Sequence, residues 1–176
     1  RAGGYGGPEI PRFRIHERIA HFVAMVSITV LAVTGFCFLL GRHDPLGPWA
    51  RSVHTWIGYA GVAGAAFILL SWIWFMFPGR GDWRWLRGAG GYFGGNKPLP
   101  AGKFNAGQKL LFWFDMFLMA VLSFSGILMA HPNLQADDAQ SIIYTMHDIA
   151  ALFMTLAIIA HVYLAAAVNP HSLRGL

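Results

Sequence analysis

The sequence predicts an all-α integral membrane fold, a bundle of four transmembrane helices, and three observations carry that expectation. Hydrophobic residues make up 56% of the 176 and charged residues only 12%, with a mean hydropathy of +0.49. Soluble domains run about 45–50% apolar and about 25% charged, so this composition could not cover a water-exposed surface. The apolar residues gather into four runs, each long enough for the roughly 20 residues that a spanning helix needs. The basic residues fall almost entirely on one side of those runs. Disorder is excluded, because it needs low hydrophobicity and high charge. The single cysteine, Cys37, excludes a disulfide scaffold, a cysteine-ligated zinc site and a c-type haem motif.

The spans are expected at about 21–40, 53–77, 110–129 and 143–168, in one domain covering 1–176, with no internal repeat and no separating linker. The first run carries no charge. The second ends at Pro78-Gly79, the third carries Asp115 near its start, and the fourth carries Asp148 near its start. A β-barrel would show alternating segments of about ten residues. These runs are longer and apolar all round, which reads as helices surrounded by lipid and by each other. The first run is too long for a signal-peptide core and is preceded by polar and aromatic sequence. The chain starts at Arg1, so a longer N-terminus is expected ahead of it.

Charge bias sets orientation. Arg1, Arg12, Arg14 and Arg18 precede the first span. Arg80, Arg84, Arg87, Lys97, Lys103 and Lys109 lie between spans two and three, and Arg174 follows the fourth. The opposite side has only Arg42 and Arg51, with Asp44, Asp137 and Asp138. Both termini and the long middle loop are therefore expected in the cytoplasm. The pI of 9.8 is then a topology signal, and no nucleic-acid partner is expected. Trp49 and Trp56 on one side, and Trp72, Trp74, Trp83, Trp85 and Trp113 on the other, suit interfacial belts. The loop Gly79 to Gln108 is the one sizeable polar element; it is glycine-rich (Gly88, Gly90, Gly91, Gly94, Gly95) and contains Pro98 and Pro100, and a structureless loop this long is usually functional or disordered.

Polar side chains inside a membrane are costly, so histidines at depth point to function. His21, His54, His147 and His161 sit at or within spans. His21 lies near the cytoplasmic edge, and His54 and His147 near the other. His161 follows His147 by fourteen residues, about 21 Å deeper and within about 40° of the same helix face. The four thus form two depth-matched pairs, His54 with His147 and His21 with His161. Two stacked b-type haems with bis-histidine ligation require this arrangement. Gly35, Gly58, Gly61, Gly64 and Gly126 offer room for a macrocycle, although glycines in spans also serve plain helix packing. Zinc or copper would want its ligands at one depth. A proton relay remains open, but the spans carry only Asp115 and Asp148, both near ends, and no pair of broken helices. His16, His43, His131 and His171 fall outside the spans.

The stretch Gly102-Lys103-Phe104-Asn105-Ala106-Gly107-Gln108-Lys109, followed by Leu110-Leu111-Phe112-Trp113, resembles the loop before the third span of the formate dehydrogenase gamma subunit, the cytochrome b of the respiratory, membrane-bound enzyme. Glu17-Arg18-Ile19-Ala20-His21-Phe22 is similar to the start of its first helix. His54 with Gly58, His147, His161 with Val162-Tyr163, and Ser172-Leu173-Arg174-Gly175 match further positions, so that the likeness covers about residues 12–176. The helices alone are shared with other di-haem subunits, such as those of nickel–iron hydrogenases. Arg1 to Pro11 have no counterpart, and Gly88 to Gly95 is richer in glycine than the family pattern.

The resemblance implies two haems b, the outer held by His54 and His147 and the inner by His21 and His161. It implies a quinone pocket beside the inner haem, formed with Asn105, Gly107 and Gln108. Amides can hydrogen-bond a quinone carbonyl, while Asn105 read without the family is a helix cap. Electrons from formate oxidised in a molybdenum or tungsten alpha subunit would arrive through an iron–sulfur beta subunit and leave on ubiquinone or menaquinone. The location implied is the bacterial inner membrane, in a complex open to higher oligomerisation. Arg51 or Arg42 and Arg18 or Lys103 are candidates for haem propionates, and Asp148 for orienting His147. The rivals are the cytochrome b of a nickel–iron hydrogenase and a haem-free membrane anchor.

Overall fold

The structure, a computed structural model, describes residues 13–41, 47–91, 102–136 and 138–168. Its helices are α1 (Ile15–Leu40), α2 (Trp49–Met76), α3 (Asp82–Arg87), α4 (Ala106–Ala130) and α5 (Gln140–Tyr163). α1, α2, α4 and α5 are each long and apolar enough to cross a membrane.

All four of these helices begin earlier than hydropathy alone places the spans, and polar residues close the first turns of α1 and α4. In α1, Glu17 Oε2 accepts the Arg14 N–H at 2.7 Å. In α4, the Gln108 N–H donates to Asn105 Oδ1 (2.9 Å) and the Asn105 N–H to Gln108 Oε1 (3.0 Å), a reciprocal capping box. α2 starts directly after Gly47-Pro48. α5 instead ends at Tyr163 and passes into a wider π-helical turn, Leu164–Val168.

α1 packs chiefly on α2, and α4 on α5, giving two antiparallel hairpins. α2 against α4 joins them, and α1 reaches α5. The chain therefore crosses the bundle four times, and the two ends are identified by their contacts. At one end, here called the basic end, Trp72 of α2 and Lys103 both reach Glu17 of α1, and Trp113 of α4 donates to the Met76 carbonyl of α2 at 3.1 Å. Met76, Phe104 and Phe112 form a buried cluster there, with Phe13 and Trp72 against it. Leu118, Ala150 and Met154 pack α4 on α5. Large side chains such as Trp74, 82% exposed, cover the outside, as expected of helices held by close packing and hydrogen bonds among lipid.

The middle loop departs from expectation. It contains α3, which docks on α4. Asp82 Oδ2 accepts from the Gly79 N–H (2.6 Å) and from Lys109 Nζ (2.7 Å), and the Trp85 indole lies on Gly107. Glycine and proline density mark a loop, but the six residues Asp82–Arg87 hold an acid at the helix start and basic residues in the last turn, which favours a helix. Residues 92–101, with Gly94, Gly95, Lys97, Pro98 and Pro100, lie outside the described residues. So do Arg1 to Arg12, Arg42, His43, Asp44, Asp137, His171 and Ser172 to Gly175.

Candidate functional site

Each hairpin carries the same local arrangement at the end opposite the basic one. Thr34-Gly35 on α1 faces His54 on α2, and Ser125-Gly126 on α4 faces His147 on α5. Thr34 Oγ1 lies 2.7 Å from His54 Nδ1, and Ser125 Oγ lies 2.9 Å from His147 Nδ1. A Cβ placed on Gly35 would stand 3.3 Å from His54 Cε1, and one on Gly126 would stand 3.3 Å from His147 Cε1. The glycines therefore let both imidazoles lie on the neighbouring backbone. Gly58 and Gly64 border open space and Gly61 meets only Leu31, whereas Gly35 and Gly126 are the two on which an imidazole rests.

The two hairpins bring the histidines together in pairs. His54 and His147 have ring centroids 6.3 Å apart at an interplanar angle of 63°. At the basic end His21 of α1 and His161 of α5 are 6.2 Å apart at 54°. Thr34, which touches His54, lies thirteen residues beyond His21 on α1, and His161 lies fourteen beyond His147 on α5. Both helices thus separate the layers by about 20 Å. The four histidines thus stand as two ring pairs, and each pair takes one ring from each hairpin.

Asn105, Gly107 and Gln108 lie at the start of α4 at the basic end. The structure engages Asn105 Oδ1 and Gln108 Oε1 in the capping box, and a Cβ at Gly107 would come within 2.9 Å of Trp85 Cη2. None of the three lines the cleft of about 330 Å³ nearby, whose walls include Phe75, Asp82, Trp85, Lys103, Phe104 and Lys109; Gly107 adjoins it through Trp85. Lys103 Nζ donates to Glu17 Oε1 at 2.6 Å, and Trp72 Nε1 donates to the same oxygen at 2.7 Å. Glu17 is buried, and His21 follows it by four residues on α1, one helical turn deeper on the same face. The carboxylate that holds the cleft-lining Lys103 thus sits one turn from His21 along α1.

Of the residues considered for charge or orientation, Lys103 is committed to Glu17, and its ammonium lies over Phe75 and Phe104. Arg51 lies over the Phe38 ring, which packs edge-on against His54. Arg18 is exposed. His147 Nδ1 is met by Ser125 of α4, not by Asp148. Asp115 is partly buried on α4, and its Oδ1 has no hydrogen-bond partner among the described residues. Thr34 and Ser125 escape a reading by charge and histidine position alone. Their signal in the sequence is a hydroxyl immediately before a glycine inside an otherwise apolar run.

The family model for prokaryotic cytochrome b561 matches residues 12–173, which include all four histidines. The chain belongs to the prokaryotic cytochrome b561 family. Among curated proteins, this cytochrome b561 is similar to the nitrate-inducible formate dehydrogenase cytochrome b556(Fdn) subunit of Escherichia coli, at 26% identity over 89% of this chain and 77% of that protein. It is 29% identical to the formate dehydrogenase cytochrome b556 subunit of Haemophilus influenzae, over 95% of this chain and 74% of that one. It is 25% identical to the cytochrome b556(fdo) subunit of Escherichia coli formate dehydrogenase, over 89% and 78%.

A b-type cytochrome binds haem b, and the histidine pairs fit that group. A metal–imidazole bond is about 2 Å and each nitrogen lies about 1 Å from its ring centre, so two imidazoles holding one iron between them would stand about 6 Å apart, the separation seen in both pairs. The hydrogen bonds fit as well. The Thr34 hydroxyl also donates to the Val30 carbonyl at 2.7 Å and that of Ser125 to the Val121 carbonyl at 2.7 Å, which leaves each oxygen a lone pair for an imidazole Nδ1–H. In that tautomer each Nε2 keeps the lone pair that a ligand needs.

Proposed function

We propose that this cytochrome b561 is the membrane subunit of a respiratory formate dehydrogenase, conducting electrons from an iron–sulfur subunit through two haems b to a quinone. The observation that carries it is the pair of histidine layers, about 20 Å apart along α1 and α5, each layer taking one imidazole from each hairpin. When bound, haem iron supplies one-electron redox chemistry. The chain supplies ligation and placement. His54 and His147 hold one group and His21 and His161 the other, while Gly35 and Gly126 let two of the rings lie against backbone. The names of the curated relatives favour formate dehydrogenase as the donor complex, with a molybdenum or tungsten alpha subunit behind the iron–sulfur beta subunit.

The basic end faces the cytoplasm in this reading, by the excess of Arg and Lys around it, with both termini on that side. Quinone then binds at the cleft beside Asn105, Gly107 and Gln108, next to the His21–His161 pair. Its support is the chain of contacts from the cleft-lining Lys103 to Glu17, one turn from His21. Quinone reduction there takes up protons from the cytoplasm.

The test is a dithionite-reduced minus oxidised spectrum of the purified complex, with pyridine haemochrome measured per chain, followed by addition of formate. Two b haems, both reduced by formate, are expected. No haem would leave a haem-free anchor. Haems reduced by hydrogen and not by formate would assign the chain to a hydrogenase.

A further inference from the structure

We propose that Thr34 and Ser125 are positioning residues that hold His54 and His147 as Nδ1–H tautomers and thereby lower the reduction potential of the iron those two imidazoles ligate. The inference rests on the proposed haem site, and it concerns what these hydroxyls do there.

A hydroxyl has one proton and two lone pairs. Both hydroxyls direct that proton into their own helix. Thr34 Oγ1 donates to the carbonyls of Val30 (2.7 Å) and Leu31 (3.2 Å). Ser125 Oγ donates to those of Val121 (2.7 Å) and Leu122 (3.3 Å). Only lone pairs remain for the histidines, so each contact to Nδ1 runs from imidazole N–H to hydroxyl oxygen, with the Leu122 carbonyl a second acceptor beside His147. Thr34 is 5% exposed and Ser125 1%, so water does not compete for either oxygen. The adjacent glycines hold the register, since the Cε1 edge of each ring rests where a Cβ would crowd it.

The consequence is electronic as well as steric. An imidazole that donates its remote N–H is a more basic ligand. A more basic axial pair favours ferric iron and lowers its potential. Among the described residues neither His21 nor His161 has a hydroxyl partner, so the device distinguishes one layer from the other. It also appears twice, once in each hairpin, on residues far apart in the sequence.

Redox potentiometry of the purified complex tests this, with the oxidised haems also followed by EPR. Thr34→Val is isosteric and lacks the acceptor, and Ser125→Ala removes the other hydroxyl, leaving His147 the Leu122 carbonyl alone, so its effect is expected to be the smaller. Each is expected to raise the midpoint potential of the same single haem and shift its EPR signal, leaving the second haem unmoved. Thr34→Ser, which keeps the oxygen, is expected to match the unaltered protein. Unchanged midpoints at full haem content, or the two variants moving different haems, would overturn the proposal. If Thr34→Val loses a haem, Thr34→Ser decides: retention supports the hydroxyl, and loss there too refutes it. Fewer than two haems in the unaltered protein would instead be a failure of the underlying haem reading.

Discussion

The ring of His54 on α2 lies 6.3 Å from the ring of His147 on α5, centroid to centroid, so this contact bridges the two helical hairpins. His54→Ala removes one imidazole of that pair and leaves His21 and His161 in place. The expected outcome is a fall from two haems per chain to one by pyridine haemochrome. Retention of both would refute the ligand assignment.

Gly126 lies under the other ring of that pair. Any Cβ there meets His147 Cε1 at 3.3 Å, and the branched side chain of Gly126→Val adds further bulk. Overpacking of this kind costs about 1–3 kcal/mol. Haem content is expected to drop at this pair alone, with the chain still present in the membrane. Normal haem stoichiometry in the variant would show that the ring does not need this space.

Gln108 holds two proposed roles that one substitution separates. Glutamate at the third position of a capping box accepts the cap N–H as glutamine does. Gln108→Glu therefore preserves the start of α4 but loses the amide donor and gains charge. Quinone reduction is expected to fall about tenfold, the loss of one hydrogen bond of about 1.4 kcal/mol, at unchanged haem content. Unaltered quinone turnover would reduce Gln108 to a cap.

Glu17 accepts from Trp72, Lys103 and the Arg14 N–H, and it is only 5% exposed. Glu17→Ala strips all three donors of their acceptor. Leaving such groups unpaired costs about 1–3 kcal/mol, expected as a lower unfolding midpoint in mixed detergent. Glu17→Gln keeps an acceptor oxygen and should lose less. Equal stability of the alanine variant and the parent would show that the carboxylate holds nothing together.

Asp82 reports on the loop. The Lys109 ammonium hydrogen-bonded to it holds its carboxyl below the ordinary value of 3.8, against the opposing effect of burial and with help from the Gly79 N–H. A carboxyl depressed in the folded state adds stability that is complete above its unfolded value and is lost as pH falls through the folded one. Hydrogen exchange of α3, corrected for intrinsic rate, is therefore expected to accelerate as pH drops below about 4. Asp82→Asn should exchange fast at every pH. A profile for the unaltered protein that stays flat down to pH 3 would refute the link.

The four spans and the histidine pairs are legible in the sequence because apolar length and helical rise act over whole segments. His147 and His161 need only fourteen residues of helix to be placed on one face at two depths. The partners of those rings are harder to read, because Thr34 and Ser125 act across a helix–helix contact that no spacing encodes. α3 is missed for the opposite reason: its six residues are too few for periodicity to register, and an ion pair to Lys109 fixes it. The capping role of Asn105 follows from local sequence alone.

α5 supplies one imidazole to each pair, His147 to one and His161 to the other. The two layers therefore hang on the seating of a single rod. A slide or twist of α5 against the first hairpin would open or close both ring-to-ring gaps at once, so the layers share one mechanical tolerance.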